Sequence, residues 1–245
     1  VTIQLETSTS PLDREWDEPT GVGARGTVIL LVGRGESGDV YNRFGTRIAA
    51  DAYRVRTVAV AATDAAAARQ RVIALLADDS LPSPKVLVGS DSGAALALEL
   101  ATEGVAAQAV IVAGLPTRQP DEGRGHEWAD ELEARTACPN HQGVLGRTAR
   151  AGELWQPLPA GLLAVVASGV TVPVLAIHGG ADTISPLSEA RQLYQAIPRH
   201  EIAVVVDGRH DILNDVTHRS VAATIVLFLE RLRLSSTLAP IVETL

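Results

Sequence analysis

Val86-Leu87-Val88-Gly89-Ser90-Asp91-Ser92-Gly93-Ala94-Ala95 is the stretch whose reading decides the fold. A short β-branched run stops at Gly89. A helix of small apolar residues, buried on most faces, begins at Gly93 and runs to Ala101. Only a sharp bend fits between them, and its glycines relieve the crowding of so tight a turn. The residue at the centre, Asp91, is the one such a bend thrusts outward.

Outward from this point the chain alternates. Val28–Val32 reads as a buried strand ending in Gly33, Val40–Ala52 as a helix, and Val55–Val60 as a strand. Asp64–Ala77 reads as a helix with Asp64 at its start, and Ala109–Ala113 as a strand. Val172–Ile177 and Ile202–Val206 read as further strands, Leu187–Ala196 as a helix, and about Val216–Leu232 as a long closing helix. Thr2–Thr7 alternates like an edge strand, whereas Pro11–Gly26 reads as turn and loop. Continuous apolar strands alternating with helices indicate an α/β fold, a mostly parallel sheet covered on both faces. Residues 117–171 break the rhythm, with helical patches at Glu127–Arg135 and Leu162–Ala167 and a loop expected at Cys138-Pro139. The expected organisation is a core of residues 1–116 and 172–245 with a cap insertion at 117–171.

Composition narrows the function classes. The 245 residues are 46% hydrophobic and 20% charged, enough to bury a full core. A net charge of −8 without a basic run argues against a nucleic-acid partner. The single cysteine, Cys138, excludes an intrachain disulfide and any cysteine-based zinc cluster. The longest stretch free of Asp, Glu, Lys and Arg, Leu154–Ala181, is broken by Pro157, Pro159 and Pro173, so no membrane span is expected. No signal peptide is read at Val1–Glu6. The expectation is a soluble cytoplasmic protein acting on a small molecule, as a monomer or homodimer, with the apolar tail from Leu238 to Leu245 free to dock on a second subunit. Lys85, the sole lysine beside 20 arginines, reads as codon bias.

In parallel sheets ligands bind beyond the carboxyl ends of the strands. Three such ends carry unusual residues: Asp91 after the central strand, His178-Gly179-Gly180-Ala181-Asp182, and Asp207-Gly208-Arg209-His210-Asp211. Bend, acid and histidine follow in that order. The chain therefore resembles the α/β-hydrolases over roughly residues 27–233. The resemblance makes Asp91 the nucleophile, His210 the base and Asp182 the acid. It places the oxyanion loop at Gly33-Arg34-Gly35, with the amides of Arg34 (or Gly35) and Ser92 as donors. The run from Gly208 to Asp215 is similar to the histidine segment of lipase-like members. Val32 stands where those members usually carry histidine.

An aspartate at the bend resembles haloalkane dehalogenases, haloacetate dehalogenases and soluble epoxide hydrolases. A carboxylate attacks saturated carbon to give an ester, which water activated by His210 then hydrolyses. Ser92 replaces the tryptophan of the dehalogenases, and Tyr41, Tyr53 and Tyr194 all lie outside the insertion where epoxide hydrolases carry theirs. The expected activity is cofactor-free hydrolysis through a covalent aspartyl ester. An esterase, lactonase or cyclase with Asp91 as general base is the alternative, or a non-catalytic binding member of the fold.

Each residue also has a plainer reading. Asp91 would cap the following helix, Asp182 the helix near Pro186, and His210 would sit on the surface. Asp207 and Asp211 are rival acids, and Ser90 and Ser92 rival nucleophiles one position off. Gly33, Gly35, His126, Trp128, His141, Trp155 and His178 are candidate pocket residues, His178 equally a structural one. Arg34 and Glu36 would make the pocket polar or pair at the surface. No metal is expected, since His126 and His141 are too far apart for a local pair.

Overall fold

The computed structural model describes residues 13–60, 65–120, 127–159, 161–163, 167–235 and 237–243. Seven strands form one sheet: β1 (Glu15–Trp16), β2 (Gly26–Leu31), β3 (Tyr53–Val58), β4 (Lys85–Ser90), β5 (Ala109–Ala113), β6 (Val174–Gly179) and β7 (His200–Val205). Their order is β1-β3-β2-β4-β5-β6-β7. Every pairing is parallel except the antiparallel contact of β1 with β3. The helices are α1 (Asn42–Ala50), α2 (Ala66–Ala77), α3 (Ser92–Thr102), α4 (Trp128–Arg135), α5 (Pro139–Thr148), α6 (Leu187–Gln195) and α7 (His218–Leu234).

The apolar strands are buried on both faces. Ile29 and Leu31 of β2 join one core with Val72 and Leu75 of α2, Leu96 and Leu100 of α3, and Tyr194 of α6. Val28 and Leu30 join the other with Phe44 and Ile48 of α1 and Ile225 and Phe228 of α7. The period-two alternation thus feeds two helical layers, each buried side chain contributing roughly 1.5–3 kcal/mol. Lys85 is structural in this setting. Its ammonium donates to the Leu76 and Asp78 carbonyls at 2.7 Å and so closes the carbonyl end of α2.

Several expectations need correction. The loop read over Pro11–Gly26 contains β1, which caps the sheet edge. The loop expected at Cys138-Pro139 opens α5, with Pro139 in the first turn, where its missing N–H costs nothing. Leu162 and Leu163 lie in a turn, and Ala167–Gly169 is a single 3₁₀ turn. Residues 164–166, Asp64 and the strand expected at Thr2–Thr7 lie outside the described residues. The segment 117–171 lies between β5 and β6 and carries α4 and α5.

Candidate active site

The chain leaves β2 towards β3 on one side and returns to β4 on the other, so the carboxyl ends of β2 and β4 form the switch point where parallel sheets place their ligand sites. Asp91 stands there with φ 49° and ψ −120°, a conformation in which a side chain is strained. Packing enforces it: a Cβ at Gly89 would lie 2.3 Å from the Gly93 carbonyl oxygen, and one at Gly93 would lie 2.2 Å from that of Leu31. Strand and helix touch through bare backbone, and Asp91 takes the bend. Its backbone carbonyl accepts the Ala94 and Ala95 amides of α3, but its carboxylate makes no capping bond and points away from the helix.

His210 and Asp182 meet it. His210 Nδ1 donates to Asp182 Oδ2 at 2.8 Å, and His210 Nε2 lies 3.5 Å from Asp91 Oδ1. Nε2 itself has no hydrogen-bond partner among the described residues. Asp182 Oδ1 accepts the Ile184 and Ser185 amides, both at 2.9 Å, so its plane is set by the backbone that leads into α6. Asp215 anchors the histidine loop, taking the Arg209 amide on one oxygen and the Thr136 hydroxyl and Ala137 amide on the other. Asp91, His210 and Asp182 are all buried.

Two guanidinium groups complete the arrangement. Arg34 grips Asp91 as a fork, Nε to Oδ2 and Nη2 to Oδ1, both at 2.9 Å, and its backbone amide faces Oδ2 at 3.4 Å. Arg135, at the end of α4, donates from Nη2 to the same Oδ2 at 2.9 Å and from Nη1 to Asp211 Oδ1 at 3.1 Å. Burial pushes the Asp91 carboxyl up, but Arg34, Arg135 and His210 outweigh it and hold the group well below the usual carboxylate range. Burial pushes the His210 imidazole down, yet the Asp182 and Asp91 carboxylates raise it to about 9. Asp182 is held low against its burial by His210 and His178. In the free protein the three groups are therefore carboxylate, imidazolium and carboxylate at neutral pH.

No known family model matches the chain, and no curated protein matches its sequence. Solved structures do match its architecture. Monoglyceride lipase from Saccharomyces cerevisiae superposes with a TM-score of 0.71 at 15% identity, over 89% of this chain and 91% of that one. Monoacylglycerol lipase from Paleococcus ferrophilus gives 0.69 at 14%, over 93% and 98%. An esterase from Exiguobacterium antarcticum gives 0.64 at 16%, over 89% and 94%. The chain has the α/β-hydrolase fold.

Within that α/β-hydrolase fold the other expected residues fall into distinct places. Gly33 adjoins Asp91, where a Cβ would lie 3.4 Å from that of Asp91 and 2.6 Å from Glu36 Oε2. Gly35 packs on Glu153, and Ser92 opens α3 with its side chain buried. Arg34 and Glu36 do not pair at the surface. Both are buried, Arg34 on Asp91 and Glu36 on Tyr41 and the Gly33 amide. Asp211 is not a rival acid, because its oxygens serve Arg135 and His141. His141 is buried against Asp211, and Trp128, the first residue of α4, packs on the core. Trp155 is half-buried in a 3₁₀ turn, and His126 lies outside the described residues.

Sequence reasoning missed Arg135, which lies in the segment beyond β5 with no motif to mark it. Its one signal is an arginine closing a short helix that carries too few apolar residues to bury itself. Glu36, His141 and Asp211 bring potential ligand atoms within 4.8 Å of one another. The Arg135 guanidinium already supplies positive charge there, bound to Asp211, and Tyr41 donates to Glu36. Burial and the Asp211 charge raise Glu36 to about 7, so a proton on Glu36 relieves the remaining repulsion.

Proposed function

We propose that this chain is a hydrolase of a small organic molecule, acting through Asp91, His210 and Asp182 by way of an aspartyl ester. One observation carries the reading: a strained aspartate at the strand–helix bend presents one oxygen to an acid-steadied histidine and the other to a backbone amide. Oδ1 attacks a saturated carbon, the bond to the leaving group breaks, and that group departs with the electron pair. Esterification removes the Asp91 charge, one of the causes that raise His210, so the imidazolium releases its Nε2 proton to the departing group and the neutral imidazole is the base for the next step. His210 Nε2 takes a proton from water, whose oxygen attacks the Asp91 carboxyl carbon. The oxyanion forms on Oδ2, which already faces the Arg34 backbone amide and Arg135 Nη2. A preorganised donor of this kind is worth about 3–4 kcal/mol. Collapse returns the proton to the departing alcohol and leaves one water oxygen on Asp91. Residues 117–171, which bring Arg135 to the site, act as its cap.

The Arg34 fork favours a second reading. While Nη2 holds Oδ1, the attacking lone pairs are engaged, and the fork must swing off before attack. If it never does, Asp91 is a fixed counter-anion. His210 then activates water against an ester or lactone directly, or the chain binds a ligand without turnover.

A panel of short-chain esters, lactones, epoxides and bromoalkanes, screened in H₂¹⁸O, separates the readings. A single turnover that places ¹⁸O in the peptide carrying Asp91 supports the ester route. Turnover with an unlabelled Asp91, abolished in His210→Ala, supports direct hydrolysis. No turnover across the panel, with His210→Ala binding a ligand as tightly as the wild type, leaves a binding protein.

A further inference from the structure

We infer that His178 and Tyr194 are positioning residues for the Asp182–His210 pair, a role resting on the hydrolytic reading for its use and on geometry alone for its existence. Asp182 Oδ2, which accepts from His210 Nδ1 at 2.8 Å, also faces His178 Nε2 at 3.2 Å. The same Nε2 lies 2.7 Å from the Ser185 carbonyl oxygen. Carboxylate and carbonyl oxygens only accept, so Nε2 carries the proton and His178 Nδ1 is bare. Nδ1 lies 2.8 Å from the Tyr194 hydroxyl, which can therefore only donate to it. Every proton on the path from Tyr194 to His210 has one consistent location, and His178 and Tyr194 are both fully buried. A structural histidine would need one satisfied partner; this one is tied on one side to a tyrosine and on the other to the Ser185 carbonyl, with the oxygen that serves the base 3.2 Å away.

The consequence is quantitative. His210 Nδ1–H binds Oδ2, the His178 Nε2–H, bound to the Ser185 carbonyl, lies 3.2 Å from the same oxygen, and two backbone amides hold Oδ1. The second imidazole drains charge from Oδ2 and stops the carboxylate from rotating out of the plane of His210. Without it Asp182 would bind the His210 proton more strongly. The groups acting on His210 are Asp182, Asp91 with its partners Arg34 and Arg135, and neighbouring Asp211, and none of these changes in the variants below.

The test is a ring ¹⁵N and ¹H NMR titration of His210 in the full chain, for the wild type, His178→Leu, His178→Gln and Tyr194→Phe. His178→Leu should move the His210 midpoint up by about half a unit or more and shift its downfield Nδ1–H resonance. Tyr194→Phe, which keeps the packing and weakens the His178 donor, should move it in the same direction by less. His178→Gln, whose amide retains an N–H, should restore most of the shift. A folded His178→Leu or Tyr194→Phe protein with an unmoved or lowered His210 midpoint overturns the proposal. If His178→Leu does not fold, Tyr194→Phe decides alone. The readout needs no substrate, so a chain that turns over nothing in the panel yet shows the shift would fail the hydrolytic reading and keep this one.

Discussion

Asp91 is a carboxylate whose lone pairs are almost all spoken for. Three side-chain donors come from two arginines, and a histidine waits at 3.5 Å. Removing both members of a buried pair together can be harmless, but removing one strands the other. Arg135→Leu leaves Asp91 with Arg34 as its one guanidinium partner and Asp211 with His141, and should cost about 3 kcal/mol in urea unfolding. Arg14→Ala, which breaks a pair with Asp39 whose side chains are 41% and 50% exposed, should cost under about 1 kcal/mol. Equal losses for the two variants would mean that the guanidinium of Arg135 is not what holds the site together. At this scale the sequence is legible where the backbone demands a residue type. Gly89 and Gly93 announce the bend because no Cβ fits, and the bend announces Asp91. Arg34 is visible in the sequence, but its fork is not. A guanidinium reaches far along a flexible stem, and nothing in Gly33-Arg34-Gly35 says which way it turns.

The elements show the same division. β2, β4, β5 and β6 are readable as continuous apolar runs, since a strand covered on both faces has no polar position to offer. The segment between β5 and β6 is less readable because its helices are short and bury little. Pro139 suggests a loop where α5 begins, although proline at the first turn is a start signal as much as a breaker. Two glycines allow a paired test. Gly146 lies within α5 with open space around its Cβ position, so Gly146→Ala should stabilise the chain by about 0.5–1 kcal/mol. Gly93→Ala drives a methyl into the Leu31 carbonyl and should destabilise by at least about 1–3 kcal/mol while loosening Asp91. Thermal unfolding of both would check this, and opposite signs are expected. A stable, unperturbed Gly93→Ala protein would remove the packing argument for the strained bend.

For the whole molecule the buried titratable groups set a pH dependence of stability. His210 is raised from 6.5 to about 9 on folding, so its contribution is complete below about 6.5 and lost as the pH rises through 9. Glu36 is raised from 4.5 to about 7, so the folded state binds its proton more tightly and loses stability as the pH rises between those values. Asp91, held low, works in the other direction but only at strongly acidic pH, where it loses its contribution on protonation. Stability should therefore fall steadily from about pH 5 to pH 9. His210→Gln should flatten the upper part of that slope and Glu36→Gln the lower. Guanidinium unfolding across this range checks it, and a wild-type profile rising from about pH 6.5 to 9 would contradict the protonation states assigned to the site.

Taken alone, the amino-acid order determined the layered α/β architecture and set Asp91, Asp182 and His210 just beyond strand ends. Those features follow from local rules: period-two and period-3.6 burial, and backbone that tolerates only glycine. What the tertiary structure decided was the company these residues keep. Arg135, 44 residues from Asp91, shares an oxygen of its carboxylate with Arg34, and His178 lies 3.2 Å from the Asp182 oxygen that takes the His210 proton. Charge pairing in a dry interior is set by distance in space and by the absence of water. Neither quantity is written in the spacing of residues along a chain.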